Sequence, residues 1–294
     1  MLEKSDEFGE NKMSKYFILI FVVFGLLVML GVAKEKISRP LPIDNQQMKL
    51  PDSQHTKSVL VELFTSEGCS SCPPADKVLE ELSTEQPIAN TEIIVLSEHV
   101  DYWNRLGWQD PYSLNEFSLR QDTYAQAFGN TSVYTPQMVI NGQHELVGSD
   151  KQKALGLIDR NVDRSTYDVK LSYKENTKSS LEIAIDISKL PLASNKTNSN
   201  TSDINDVMLA IAEDKLQSSV IRGENAGRKL QHIGVVRKLS SVGEIATSKT
   251  SSSKYESKVE IALLDKWQRS NLKVVVFVQN RKTRQVFGVA SIKI

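Results

Sequence analysis

Cysteine is scarce in this sequence of 294 residues, which contains only Cys69 and Cys72. Two cysteines allow one intramolecular disulfide, which excludes a scaffold held together by several of them. The pair is also closely spaced, in the run Cys69-Ser70-Ser71-Cys72. A structural disulfide normally closes a longer loop, because its stabilisation grows with the length of that loop. The spacing therefore favours chemistry at the sulfur atoms over a purely structural bridge.

A surplus of charge of either sign is absent as well, since 36 Lys and Arg residues balance 36 Asp and Glu residues. Proteins that bind nucleic acid or another polyanion carry surplus positive charge, so the composition indicates no nucleic-acid partner. What is present, 40% hydrophobic and 24% charged residues, is typical of a globular protein. The length suffices for two domains, each with its own core.

One long apolar run, residues 16–32, lies near the N-terminus between pairs of lysines. Its length falls between that of a signal-peptide core and that of a membrane-spanning helix. We therefore predict that residues 1–33 are either a signal peptide, cleaved after Ala33, or an N-terminal membrane anchor. Both alternatives predict an extracytoplasmic protein, periplasmic or secreted, whose cysteines meet oxidising conditions. Residues 34–56, polar and proline-containing, are predicted to be a tether.

From Ser58 onward the pattern predicts strand, helix, strand, helix, hairpin and helix, which is the order of a thioredoxin-like α/β domain. We place this domain at residues 57–165. The predicted strands span residues 59–64 and 93–96. The first helix begins at Pro73 or Pro74. The second has the N-cap Ser113 with Glu116 and ends at Gly129, and the third has the N-cap Ser149 with Gln152. A two-residue turn, Asn141-Gly142, joins the hairpin strands 138–140 and 144–147.

Beyond about Tyr167 apolar and polar residues alternate, as is typical of strands with one buried face. The alternating positions are Val169, Leu171 and Tyr173, then Leu181, Ile183, Ile185 and Ile187, and later Val259, Ile261 and Leu263. Several short strands separated by polar loops predict an antiparallel β-sandwich. The sequence thus predicts an all-β antiparallel sandwich domain over residues 166–294, following the thioredoxin-like domain.

A Cys-x-x-Cys pair at the start of a helix has a defined chemistry. Free backbone N–H groups and the helix dipole stabilise the thiolate of the first cysteine, and the thiolate is the attacking species. We therefore predict Cys69 as the nucleophile and Cys72 as the resolving thiol that breaks the mixed disulfide. This chemistry requires no organic cofactor.

Two further positions are predicted to assist the cysteines. Thr135-Pro136 precedes a strand at the place where a thioredoxin-like fold holds a cis-proline facing the cysteines. Pro136 cannot donate a hydrogen bond, which leaves the backbone of Thr135 free to hold an extended substrate. Glu62, in the first strand, is a candidate to accept a proton from Cys72. The alternative for Glu62 is a carboxylate on a solvated strand face or edge.

Residues 58–74, 96–111 and 134–148 resemble the secreted family filed as domain of unknown function 1223. The run Arg222-Gly223-Glu224-Asn225-Ala226-Gly227-Arg228, with His232 and residues 235–237, resembles the second half of that family. The resemblance covers residues 58–294 and implies a thioredoxin-like fold with an appended β domain, without a known reaction. Gly68 and the Ser70-Ser71 pair depart from the aromatic residue and the Gly-Pro of ordinary thioredoxins, which argues against a general reductase role.

Two clusters are candidates for substrate binding. Asp101, Trp103 and Trp108 lie in an aromatic connection, where the tryptophans either form a surface for a partner or pack over the domain. Glu224, Asn225, Arg228 and His232 either line a surface facing the cysteines, form a domain contact, or belong to an ordinary hairpin.

The prediction is therefore an exported thiol–disulfide oxidoreductase that acts on extracytoplasmic protein thiols or disulfides. Two alternatives stay open. In one, the disulfide merely stiffens a loop of a non-enzymatic binding module. In the other, Cys69 and Cys72 join one or two of His99, His144 and His232 in a copper or zinc metallochaperone.

Overall fold

The computed structural model describes residues 57–162, 165–189, 204–246 and 254–294. The predicted signal peptide or anchor, residues 1–33, and the predicted tether, residues 34–56, lie outside these ranges. Among the residues that the structure describes, no helix is long and apolar enough to cross a membrane.

The described chain is mostly β, with three α-helices. Its strands are β1 (Lys57–Thr65), β2 (Thr91–His99), β3 (Gln137–Ile140), β4 (His144–Val147), β5 (Tyr167–Thr177), β6 (Ser180–Lys189), β7 (Ile204–Glu213), β8 (Leu216–Ser219), β9 (Lys229–His232), β10 (Val235–Ala246), β11 (Lys254–Ala262), β12 (Leu272–Asn280) and β13 (Val286–Lys293). The helices are α1 (Pro73–Glu85), α2 (Asn115–Phe128) and α3 (Lys151–Asn161).

One large mixed sheet organises the fold. Its eight strands follow the order β13-β12-β7-β10-β2-β1-β3-β4. The pairs β1–β2 and β10–β2 are parallel, and the remaining pairs are antiparallel. Strands from both sides of the predicted domain boundary at residues 165/166 therefore share one sheet, because β10 pairs directly with β2 at Val235 and Ser97.

Strands β1 and β2 lie in the middle of this sheet and are covered on both faces, as their continuously apolar sequences favour. On one face, alternate residues of β1 pack against the apolar sides of α1 and α3. On the other face, Leu60 packs with Phe117, and Phe64 with Tyr124, both from α2. The carboxyl ends of β1 and β2 lead into the loops that carry the cysteines and the aromatic connection.

The three-stranded sheet β11-β6-β5 covers the other end of the large sheet. The alternating residues Leu181, Ile183, Ile185 and Ile187 of β6 are all buried, as their spacing predicts. They form a continuous apolar core with residues of β7, β12 and β13. A short hairpin, β8–β9, follows β7 and precedes β10 in the sequence and forms a separate two-stranded sheet.

Two predicted helix N-caps are wrong by one residue. Helix α2 begins after Leu114, because the Ser113 hydroxyl instead donates to the carbonyl oxygen of Asp110, 2.9 Å away. Helix α3 is capped by Asp150, whose carboxylate accepts the Lys153 N–H at 3.0 Å. An ionised carboxylate is a stronger acceptor than the neighbouring serine hydroxyl. Helix α2 ends at Gly129, which adopts the left-handed conformation, as predicted.

The connection between β3 and β4 has three residues instead of the predicted two, because Ile140 pairs with His144. Asn141 continues the contact with β1: its side-chain oxygen accepts the Leu60 N–H at 2.9 Å, and its own N–H donates to the Leu60 carbonyl at 2.9 Å. Because Asn141 is bonded to β1 in this way, the connection extends to Gln143. Gly142 follows with a φ of 66°.

Gly142 and Gly129 form a matched pair for measuring how closely Gly142 packs against the backbone of Arg284. Both have positive φ, but an added Cβ at Gly142 would lie 1.9 Å from the Arg284 carbonyl oxygen, whereas one at Gly129 would meet nothing within 4 Å. We expect Gly129→Ala to lower the free energy of unfolding by about 1 kcal/mol, the cost of the backbone conformation alone. Gly142→Ala should lower it by about 3 kcal/mol or more. Urea unfolding measures both, and equal losses would contradict the contact.

Candidate functional site

The two cysteines form a disulfide between β1 and α1, with their Cα atoms 5.4 Å apart. Cys72 is the N-cap of α1, and its carbonyl oxygen accepts the N–H groups of Ala75 and Asp76. Pro73 and Pro74 occupy the first helical positions, where a missing N–H costs nothing. The pair therefore lies at the positive end of the helix, as its sequence predicts.

The Thr135–Pro136 peptide bond is cis and lies beside the first turn of α1. A Cβ added to Gly148 would lie 2.9 Å from the Cβ of Ala75 and 3.4 Å from the Cβ of Pro136, so these three residues meet. The Gly148 N–H donates to the Pro136 carbonyl at 3.0 Å. The structure thus brings Pro136 to the helix that carries Cys72; its role in holding a substrate stays a prediction.

Trp103 connects the cysteine loop to the cis-proline element. Its Cβ lies 3.0 Å from the position of a Cβ at Gly68, the residue before Cys69. Its indole N–H donates to Thr135 Oγ1 at 2.8 Å. Trp103 therefore contacts both the residue before Cys69 and the residue before Pro136.

Glu67, two residues before Cys69, is buried and bonded on both carboxylate oxygens. Oε2 accepts the Trp108 indole N–H at 2.8 Å, and Oε1 pairs with His232 Nε2 at 3.0 Å. The Glu67 N–H donates to Asp110 Oδ2 at 2.8 Å. Trp108 and His232, both predicted site residues, are thereby held beside the cysteine loop by a residue that the sequence analysis did not single out.

His99 and Asp110 form a second buried pair behind Glu67, with His99 Nδ1 and Asp110 Oδ2 2.7 Å apart. Burial alone would lower the pKa of His99, but Asp110 and the more distant acidic groups outweigh it, so this pKa is raised. Burial acts to raise the pKa of Asp110, and His99 lowers it overall. The rings of His99 and His232 meet edge to face, with centroids 4.8 Å apart.

A loop from the second half of the chain is hydrogen-bonded to the backbone of the cysteine segment. We call residues 220–228, which connect β8 to β9, the covering loop. Asn225 Nδ2 donates to the carbonyl oxygens of Glu67 and Cys69, each at 2.9 Å. Glu224 Oε2 accepts the Ser70 N–H at 3.1 Å, and the hydrogen bonds from Ser70 lower the pKa of Glu224. Both cysteines are 0% exposed.

Two predicted substrate-binding residues lie outside this cluster of contacts. The Asp101 carboxylate accepts the Ser118 hydroxyl at 2.6 Å and the Asn115 side-chain amide at 3.2 Å, so it fixes the start of α2. Arg228 is exposed at the end of the covering loop, where its backbone closes the turn with Val220 and Asn225.

Glu62 is fully buried, but the structure does not bring it together with the cysteines. It lies on the face of the sheet that packs against α2, whereas α1 packs against the opposite face. Its carboxylate is bonded there to Arg120 and Tyr124. Strand alternation explains this placement, since side chains two residues apart share a face and Glu62 is out of phase with Leu63.

Asp76 is the buried carboxylate on α1, the helix that Cys72 caps. It lies one turn further along α1, is 8% exposed, and accepts the Thr65 hydroxyl on Oδ1 at 2.8 Å. Burial raises the pKa of Asp76, while His232 and His99 act in the opposite direction. The run Ala75-Asp76 gave no signal for this role, because an acidic residue in a first helical turn is common for electrostatic reasons alone.

The copper or zinc alternative requires one or two of three histidines beside the cysteines. His99 and His232 lie together, but His144 begins β4, the edge strand at the far end of the sheet order. Across the described ranges, no group of three or more His, Cys, Asp and Glu residues is placed to hold a metal ion. No observation therefore favours the metallochaperone.

One curated protein is similar to a third of the chain. A thioredoxin from Methanocaldococcus jannaschii is 31% identical over 97 residues, which is 33% of this chain and 87% of that thioredoxin.

Two solved structures are similar over most of the chain. A crystal structure of a protein from Agrobacterium tumefaciens matches with a TM-score of 0.59 and 26% identity, covering 82% of this chain and 96% of that one. HBP35 of Porphyromonas gingivalis matches with a TM-score of 0.59 and 14% identity, covering 82% and 76%, which shows likeness of fold alone. The family model described as "Protein of unknown function (DUF1223)" matches residues 60–279, so the chain belongs to this family.

Proposed function

We propose that the protein is a thiol–disulfide oxidoreductase that exchanges Cys69–Cys72 with thiols or disulfides of extracytoplasmic proteins. The observation that carries the proposal is the disulfide itself, at the N-terminus of the helix α1 that packs near Pro136. The similarity of a third of the chain to a thioredoxin supports the same activity. The apolar run at residues 16–32 supports the extracytoplasmic location.

The exchange follows from the position of the sulfurs. As reductant, the Cys69 thiolate attacks a partner disulfide, forms a mixed disulfide and expels one partner thiolate. Cys72, as thiolate, then attacks Cys69 Sγ, which restores the intramolecular disulfide and releases the second partner thiolate. Two electrons pass to the partner, and each released thiolate takes up a proton. The reverse sequence oxidises a partner dithiol.

Asp76 is our candidate for the proton acceptor of Cys72, the role that the sequence analysis gave to Glu62. Residues four apart lie on the same side of a helix, and helical side chains lean toward the N-terminus. Asp76 therefore shares one side of α1 with Cys72, and burial raises the pKa of Asp76 from its ordinary value. A base with a raised pKa is better matched to a thiol than an ordinary carboxylate.

We also propose that residues 57–165 act as a thioredoxin-like catalytic part and that the strands after residue 166 act as an appended β part. The helices α1 and α3 on one face of β1 and β2, with α2 on the other, support this division of roles. The β part contributes the covering loop and His232 to the site.

Asp76→Asn tests the proton acceptor. A raised pKa means that folding favours protonated Asp76, so ionisation costs stability as the pH rises through the folded pKa. We expect the variant to raise the free energy of unfolding at pH 7 by about 1 kcal/mol per unit of pKa shift. This gain should vanish near the ordinary carboxyl pKa of about 4. The resolving step should slow by about 100-fold.

Urea unfolding at several pH values measures the first effect, and rapid-quench analysis of the mixed disulfide measures the second. Glu80→Gln is the matched control, since Glu80 lies on the same helix and pairs with Lys77 at its surface. A normal resolving rate in Asp76→Asn would remove Asp76 from the mechanism.

Cys72→Ser tests the function itself. Without the resolving thiol, Cys69 should stay joined to its partners, so mixed disulfides should accumulate. The full chain, with its own N-terminal segment, is expressed and quenched with a thiol alkylator. Non-reducing electrophoresis and mass spectrometry then identify the partners.

Cys69→Ser and the double variant are the controls and should capture nothing. If Cys72→Ser also captures nothing and the disulfide resists reduction by thiol buffers of physiological potential, the non-enzymatic binding module is the better description.

A further inference from the structure

Both cysteines are closed to solvent, whereas the two serines between them are exposed. A thiolate must reach a disulfide sulfur directly to exchange with it. The arrangement described above therefore does not permit the proposed reaction until some covering group moves away.

The covering loop is the part of the surrounding structure that is least anchored by packing. Only Val220 and Asn225 of its nine residues, 220–228, are buried, and Ile221 is 72% exposed. Segments with few buried apolar contacts open at low free-energy cost compared with core elements. By contrast, α1 and β1, which flank the cysteines, belong to an apolar core.

Asn225 is the main attachment of this loop to the cysteine segment. Its amide donates to the Glu67 and Cys69 carbonyls, and both hydrogen bonds are buried. Its Oδ1 is buried without a hydrogen-bond partner within the described part of the chain. An unsatisfied buried acceptor raises the free energy of the docked position. At Asn225, the two hydrogen bonds that hold the loop are therefore partly offset by the free-energy cost of the buried, unbonded Oδ1.

Glu224 acts on the electrostatics of the site as well as on its access. It accepts the N–H of Ser70, the residue next to Cys69. That N–H lies two residues before the N-cap Cys72, and a free N–H beside Cys69 would stabilise a thiolate there. While the Glu224 carboxylate accepts this N–H, its negative charge repels a thiolate, whether that thiolate is on Cys69 or on an attacking molecule.

We propose that the covering loop is a gate over Cys69–Cys72, with Asn225 and Glu224 as the positioning residues that hold it closed. Exchange takes place only from the open state, in which the Cys69 and Ser70 backbone is released and Cys69 Sγ is accessible. The loop belongs to the β part, which gives that part a specific task in the reaction. This inference rests on the proposed function in assigning exchange to Cys69.

Dithiothreitol is a suitable probe, because its reaction does not require knowledge of the natural partner. One of its thiolates attacks Cys69 Sγ, the S–S bond breaks, and Cys72 leaves as a thiolate that takes up a proton. The second thiol of dithiothreitol then closes a ring and releases the Cys69 thiolate. The protein disulfide is reduced and dithiothreitol is oxidised.

The experiment measures the reduction rate of the full chain under excess dithiothreitol, together with hydrogen exchange of the Ser70 amide. In Asn225→Ala both rates should rise by the same factor, about ten-fold or more, because two hydrogen bonds to the closed loop are lost. In Glu224→Gln the reduction rate should rise by about three-fold or more, because the carboxylate repels the incoming thiolate. Arg222→Ala, at an exposed position of the same loop, is the matched control and should change both rates less than two-fold.

A folded Asn225→Ala with an unchanged reduction rate would overturn the gate. So would a faster reduction in which amides throughout the protein exchange faster by the same factor, since that is global unfolding. If Asn225→Ala does not fold, Glu224→Gln decides the question through the Ser70 amide, whose hydrogen exchange should rise together with the reduction rate. A faster reduction with unchanged exchange of that amide is a charge effect alone and would overturn the gate. The gate and the function fail separately. If Cys72→Ser captures partners but Asn225→Ala and Glu224→Gln leave the reduction rate unchanged, only the gate is removed. If these two variants speed reduction but Cys72→Ser captures nothing, only the oxidoreductase is removed.

Discussion

Glu67 uses its backbone and both carboxylate oxygens to join segments that are far apart in the sequence. Its N–H bonds to Asp110, its carbonyl accepts Asn225, and its carboxylate holds Trp108 and His232. A buried carboxylate is tolerated only when its hydrogen-bonding capacity is satisfied, and Trp108 and His232 satisfy it here. Asp110 and Asn225 hold the backbone of the same residue. The position of Cys69, two residues later, follows from this one set of contacts.

The large sheet makes these contacts possible. Because β10 pairs with β2, the residues just before β10 lie beside the carboxyl end of β2. His232 and Gly234 belong to this short segment, and the Gly234 carbonyl accepts the Ser97 N–H at 2.7 Å. The hairpin that precedes it is thereby directed across the start of α1. The two parts of the chain meet at the disulfide because they share a sheet, with no separate docking surface needed.

Local patterns were sufficient to predict the elements but not the way they are joined. The strand before the cysteines, the prolines that open α1 and the end of α2 at Gly129 all depend on nearby residues, and the structure has them as predicted. The shared sheet was not predicted, since alternation in β7 or β10 indicates a buried face without naming the neighbouring strand. Glu62 shows the same limit, because its separation from the cysteines depends on which face of the sheet it occupies.

The site residues divide along the same line. Cys69, Cys72 and Pro136 are recognisable from short motifs, and Trp108, Asn225 and His232 from an unusual polar or aromatic setting. Glu67 and Asp110 carry no such mark, because their importance lies in partners from distant segments. A lone acidic residue before a Gly-Cys pair is read most simply as a surface charge, and only the fold shows that it is enclosed.

The pairing of β2 with β10 also has a consequence for how the protein is made. During synthesis β2 and the cysteines emerge long before Val235, the residue of β10 that pairs with Ser97. Until then one edge of β2 is open to other chains, and nothing from the later segment lies over the sulfurs. The cysteines are thus most accessible to an oxidant in the nascent chain, and the arrival of the last strands both completes the sheet and encloses the bond already formed.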